Sequence, residues 1–113
     1  MVARNNLLAA PPYPVEQALR RLGANLRTAR VRRRLTVKDV AQKIGVGVRA
    51  VSDVEKGKPS TSIAAYAALL WAFGLMGDFE TLADPVRDSE GQALALGRER
   101  ARVRRSKGLD NDF

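Results

Sequence analysis

Val48, Arg49, Ser52, Asp53 and Lys56 recur at i, i+1, i+4, i+5 and i+8, which sets them in one stripe along an α-helix. The stripe combines two cations, a hydroxyl, a carboxylate and a branched apolar tip. These are groups that read base edges in a major groove. An arginine takes guanine O6 and N7 in a bidentate fork, an aspartate accepts from cytosine N4, and a valine touches the thymine methyl. Val51 and Val54 fall on the opposite side, so the same helix also has a face to bury. Other chemistries lack their parts. The 113 residues contain no cysteine and no histidine, so no disulfide, zinc centre or Cys/His catalytic pair can be built.

A helix of this length is marginal in water by itself, so other elements must hold it. In VAQKIGVGVRAVSDVE, residues 40–55, two short amphipathic runs are broken by Gly45 and Gly47. Thr36-x-x-Asp39 has the form of a capping box, and Val37, Val40, Ala41 and Ile44 follow on one face. Gly45 suits the left-handed conformation that ends this helix. The next begins near Gly47 and closes at Gly57, with Pro59 beyond to prevent continuation. Ala41 is small where the two helices cross, and Val40, Ile44, Val46, Val51 and Val54 form the seam. Two short helices around a glycine corner make a helix-turn-helix.

Upstream, residues 1–14 end in Pro-Pro-Tyr-Pro and read as an extended arm. From Val15, the residues Ala18, Leu19, Leu22, Leu26 and Ala29 step by three and four, predicting a helix to about Arg33, with Arg20, Arg27 and Arg34 on its solvated side. Downstream, Ser62 opens SIAAYAALLWAFGLM, apolar almost all round. Such a helix needs cover on most sides, more than a domain of this size supplies. A homodimer interface is therefore expected along it and a following helix over 77–82, with Trp71, Phe73, Leu75, Met76, Phe79 and Leu82 as its residues. Past Ala83-Asp84-Pro85 the pattern weakens to a charged helix over 88–106 and a loose GLDNDF ending. The expected organisation is an arm over 1–14, a DNA-binding and dimerisation domain over 15–83, and a charged helix and tail over 84–113.

The charge is +8 overall and uneven. Eight arginines face Glu16 alone in residues 1–34, and six cations face Glu99 alone in residues 98–107. This balance favours an anionic partner, nucleic acid first. The stretch RERARVRRSK has two readings, a grip on phosphates or a contact with an acidic protein surface. No signal-peptide core is visible, and the longest apolar run, Ile63–Met76, is 14 residues and too short to cross a bilayer. A soluble, cytoplasmic protein is expected, with no membrane contact.

The stretch LGANLRTARVRRRLTVKDVAQKIGVGVRAVSDVEKGKPS resembles the Cro/C1-type (XRE, lambda-repressor-like) helix-turn-helix domain, and the likeness covers about residues 20–83. It implies an all-α, five-helix fold. KPSTSIAAYAALLWAFGL, LADPVRDSEG and the RVRRSKGLDNDF ending narrow the resemblance to HipB-type antitoxins. By that resemblance, Gly47, Val48, Arg49, Ser52 and Asp53 take base-contacting positions. Thr36, Lys38, Lys56 and Lys58 take phosphate-contacting ones. Arg30 and Glu55 stand where the family has an ion pair tying the first helix to the end of the third. Two departures bear on the operator contacts: Val37 replaces a frequent glutamine, and Gly47 replaces a serine-like cap.

What the resemblance implies is a repressor of its own operon, binding double-stranded operator DNA as a homodimer and holding a HipA-type serine/threonine kinase toxin. The alternatives are a Cro/C1-like regulator without a toxin, or a basic helical adaptor for protein or RNA. Leu109 and Phe113 in the ending are either idle or a short peptide that orders on the kinase. An enzyme, a metal site and a cofactor are not expected: Asp39, Asp53 and Glu55 are accounted for by a cap, a groove contact and an ion pair.

Overall fold

The computed structural model describes residues 6–111, with side chains through residue 108. Among them are seven helices and no strand: α1 (Asn6–Ala9), α2 (Tyr13–Arg32), α3 (Val37–Ile44), α4 (Val48–Glu55), α5 (Ile63–Ala72), α6 (Met76–Glu80) and α7 (Ser89–Asn111). The fold is all-α, and it divides into two compact units, residues 1–80 and 81–113.

The first unit departs from an extended arm over 1–14. Asn6–Ala9 is helical, and α2 already begins at Tyr13 behind Pro12. Pro14 sits in the first turn of α2, where its missing N–H would be unpaired in any case. Prolines at this spacing therefore start a helix as readily as they stop one. At the other end α2 finishes at Arg32, and Arg34, two residues on, is a non-glycine residue at φ 55°. Arg34 N donates to Val31 O at 2.9 Å, and Leu35 N donates to Arg30 O at 3.3 Å. These bonds pair carbonyls that the helix end would leave open.

Leu26 of α2, Val40 of α3, Val51 and Val54 of α4 and Leu69 of α5 are the largest fully buried side chains. Ala29, Ala41, Ala65, Tyr66 and Phe73 complete the cluster. α4 touches α2, α3 and α5, so the short helix that sequence places at the centre of the chemistry is also the hub of the core.

The apolar run from Ser62 does not continue to Met76 as one helix. Ser62 Oγ accepts from Ala65 N at 3.2 Å to start α5. The helix ends at Ala72, Gly74 takes φ 72°, and α6 follows over Met76–Glu80. The break lets Phe73 turn inward. It is 5% exposed and belongs to this chain's own core, not to a surface left for a second copy.

In the second unit, Asp88 accepts from Gly91 N at 3.0 Å and begins α7. The helix runs to Asn111, well past the expected end near residue 106 and through most of GLDNDF. The side chains of Leu109 and Phe113 lie outside the described residues.

Candidate nucleic-acid interface

The corner between α3 and α4 is set by local chemistry. Thr36 Oγ1 accepts from Asp39 N at 3.0 Å, and Asp39 Oδ2 accepts from Thr36 N at 2.9 Å, a reciprocal capping box. Those two bonds favour the charged carboxylate and hold the Asp39 pKa below its ordinary value. Gly45 closes α3 at φ 74°, with its N–H donating to Ala41 O at 2.9 Å. Gly47 caps α4 in extended backbone without a side-chain bond, so this N-terminus is held by packing more than by its cap.

From that corner α4 presents two unlike faces. Val51 and Val54 are fully buried. Val48, Arg49 and Lys56 are exposed, as is Gly47 at the start, while Ser52 and Asp53 are half-buried on the flank. Arg49 and Lys56 engage no carboxylate among the described residues. Thr36 and Lys38 are exposed at the start of α3.

Asp53 and Lys58 are brought together. Lys58 Nζ stands 3.2 Å from Asp53 Oδ1, and Lys58 N donates to Asp53 O at 3.1 Å. The Tyr66 hydroxyl donates to Lys58 O at 2.9 Å. Burial, and secondarily the Asp53 charge, push the Tyr66 phenol above its ordinary pKa. A residue placed by resemblance among base contacts and one placed among phosphate contacts thus form an internal pair, anchored from α5.

Arg30 grips Glu55 with both prongs of its guanidinium: Nε donates to Oε2 at 2.7 Å and Nη2 to Oε1 at 2.9 Å. Arg30 Nη1 also donates to Leu35 O at 2.9 Å. One side chain therefore ties α2 to the end of α4 and to the turn before α3. The bond to Glu55 raises the Arg30 pKa further, so the guanidinium keeps its charge.

Three positioning contacts were missed by sequence reasoning, one of them at Gly57, which the sequence marks only as a helix stop. A Cβ on Gly23 would strike Val54 O and stand 2.7 Å from Glu55 O and 2.8 Å from Gly57 N. Gly57, at φ 70°, faces Leu19 O at 2.5 Å from its own missing Cβ. The backbones of α2 and the end of α4 meet with no side chain between them. A glycine inside a strongly amphipathic helix was the available signal, since it costs about 0.5–1 kcal/mol and needs a packing reason. Arg33 makes the third. It stacks 5.3 Å from the Phe73 ring centroid and donates to Phe73 O at 3.0 Å, joining the ends of α2 and α5.

Of the residues expected at a dimer interface, Trp71 is 60% exposed, and Leu75 and Leu82 are also exposed. Met76 and Phe79 are half-buried. Among the described residues no group of three or more potential metal ligands is found, and no helix is long and apolar enough to cross a membrane.

A protein-family model described as a helix-turn-helix domain matches residues 21–82, more than half of the chain. The match begins within α2 and extends past α6, enclosing the corner, the exposed face of α4 and the Arg30–Glu55 tie. No curated protein and no solved structure matches.

Proposed function

The chain belongs to the helix-turn-helix family, and on that premise we propose that it is a cytoplasmic, sequence-specific DNA-binding repressor acting as a homodimer. The observation that carries this reading is the two-faced α4. Val51 and Val54 are locked into the core while Val48, Arg49 and Lys56 project from a helix fixed at both ends. In this motif the second helix enters the major groove and its N-terminal residues meet base edges. Gly47, Val48, Arg49 and Ser52 are the base-facing set. Thr36, Lys38 and Lys56 flank them toward phosphates. Asp53 and Lys58 reach DNA only by exchanging their mutual pair for it.

The exposed Trp71 and Leu75 support self-association, since large apolar side chains grouped at one helix end mark interaction sites. Leu82 is a further exposed apolar side chain, and Met76 and Phe79 add partly exposed ones. A two-fold dimer sets two α4 helices into successive major grooves about 34–36 Å apart. Selection of random duplexes by the full chain tests both points. A near-palindromic site is the expected product, and unselective recovery of all sequences overturns the reading.

The narrower role, an antitoxin bound to a HipA-type kinase, rests on the likeness of residues 58–75, 82–91 and 102–113 to HipB-type proteins. Co-purification with the product of an adjacent kinase gene tests it.

A further inference from the structure

The basic segment of α7 carries its cations in an arrangement that selects among partners. Arg98, Arg102 and Arg105 fall at i, i+4 and i+7, and Arg100, Arg104 and Lys107 repeat the same spacing. At about 100° per residue the two stripes stand roughly 200° apart around the helix. All six side chains are exposed. Glu99 is the lone carboxylate among them, 3.4 Å from Arg102.

A flat anionic surface meets one stripe and leaves the other in water. A trough with negative charge on both walls meets both. The major groove of B-form DNA is such a trough, about 12 Å wide, with a phosphate strand on each side, and an α-helix with its side chains is about 10–12 Å across. The corresponding groove of double-stranded RNA is too narrow to admit a helix. A helix lying on a membrane needs an apolar face. Here Ala101 and Val103, the only apolar residues over 98–107, sit two positions apart and on different sides.

We propose that residues 98–107 of α7 form a second duplex-DNA-binding element, seated in a major groove with one cationic stripe toward each phosphate wall. Its contacts are electrostatic and independent of base sequence, so it adds affinity and salt dependence to whatever α4 reads. The inference shares with the proposed function the identity of the partner, duplex DNA, and does not depend on α4 being the reading helix.

The test uses the full chain and three variants: R98Q/R102Q/R105Q, R100Q/R104Q/K107Q, and all six together. Glutamine has nearly the helix propensity of arginine and lysine, and circular dichroism checks that α7 persists. Binding to a random-sequence duplex is measured against salt. Each phosphate contact contributes about 0.9 to the slope of log K on log salt. Each triple variant is expected to lower the slope by about 2–3, and the sixfold variant by about 5. Preference for a selected site over random duplex stays as in the parent.

A change in only one triple variant shows a flat partner surface and overturns the groove. Unchanged slopes in both overturn any contact of α7 with DNA. In either case a retained site preference leaves the reading of α4 intact. An unmutated chain without site preference, but with the slope changes above, defeats the α4 reading alone. An unmutated chain that binds no duplex defeats both.

Discussion

α2 and α7 are similar in length, 20 and 23 residues, and both are rich in arginine. They are held by different forces. α2 buries Gly23, Leu26 and Ala29 and anchors Arg30 and Arg33 against other helices. No described side chain of α7 is buried, and its visible support is local: the Asp88 cap, Gln92 Nε2 donating to Val86 O at 2.8 Å, and the Glu99–Arg102 pair. Tertiary packing supplies most helix stability in globular domains. The same residue type therefore does different work in the two helices. Arginine in α2 serves partly as a structural clamp, whereas arginine in α7 is fully displayed to solvent.

Glycine gives the sharpest way to break this contrast. Gly23→Val forces side-chain atoms into the backbone of α4, and overpacking of this kind costs about 3 kcal/mol or more. Urea unfolding of the first unit should show that loss. Gly97, in α7, has nothing within 4 Å of a Cβ. Gly97→Ala should instead gain about 0.5–1 kcal/mol of helix stability, read as added ellipticity. Equal responses at the two sites would remove the distinction.

The next effect is at the clamp. Glu55→Gln leaves Arg30 without its charged partner in a site where both side chains are nearly buried. Losing hydrogen bonds to a charged group there should cost about 2–3 kcal/mol, seen as a lower denaturation midpoint. Base preference should be unchanged at temperatures where the variant is folded. Glu99→Gln, at the exposed pair in α7, should shift stability by less than about 0.5 kcal/mol.

The smallest effect is the pH response of the α3 cap. The folded-state pKa of Asp39 is lowered by its bonds to Thr36. Its contribution is therefore fully present above the unfolded value and is lost as pH falls through the folded one. Acid titration of stability should show that component, and Asp39→Asn should remove it. An unchanged acid limb in Asp39→Asn would show that the cap carries no charge-dependent share.

Much of the first unit was legible because its signals are local. Thr36 and Asp39 name a cap within four residues, Gly45 supplies a backbone angle, and Val40, Val51 and Val54 keep helical period. What escaped depends on contacts between distant segments. Gly23 is explained only by the carbonyls of Val54 and Glu55, and Arg33 only by Phe73. The break at Gly74 was hidden because apolar residues continue through it, and it moved Phe73 from the expected interface into the core. The extended arm failed because proline is compatible with a helix start as well as an end. In α7 the composition showed the charge, and only the helical phase sorted it into two stripes.

On the proposed reading, α4 meets bases through Arg49 and the DNA backbone through Lys56. The direct measurement is the affinity of the full chain, Arg49→Ala and Lys56→Ala for a selected site and for random duplex, at several salt concentrations. Arg49→Ala should lose about 1–3 kcal/mol on the selected site, lose little on random duplex, and relax preference at one base pair per half-site. Lys56→Ala should weaken both duplexes alike and flatten the salt slope by about one. Equal losses on both duplexes from Arg49→Ala would make Arg49 a phosphate contact and contradict the assignment of α4 as the reading helix.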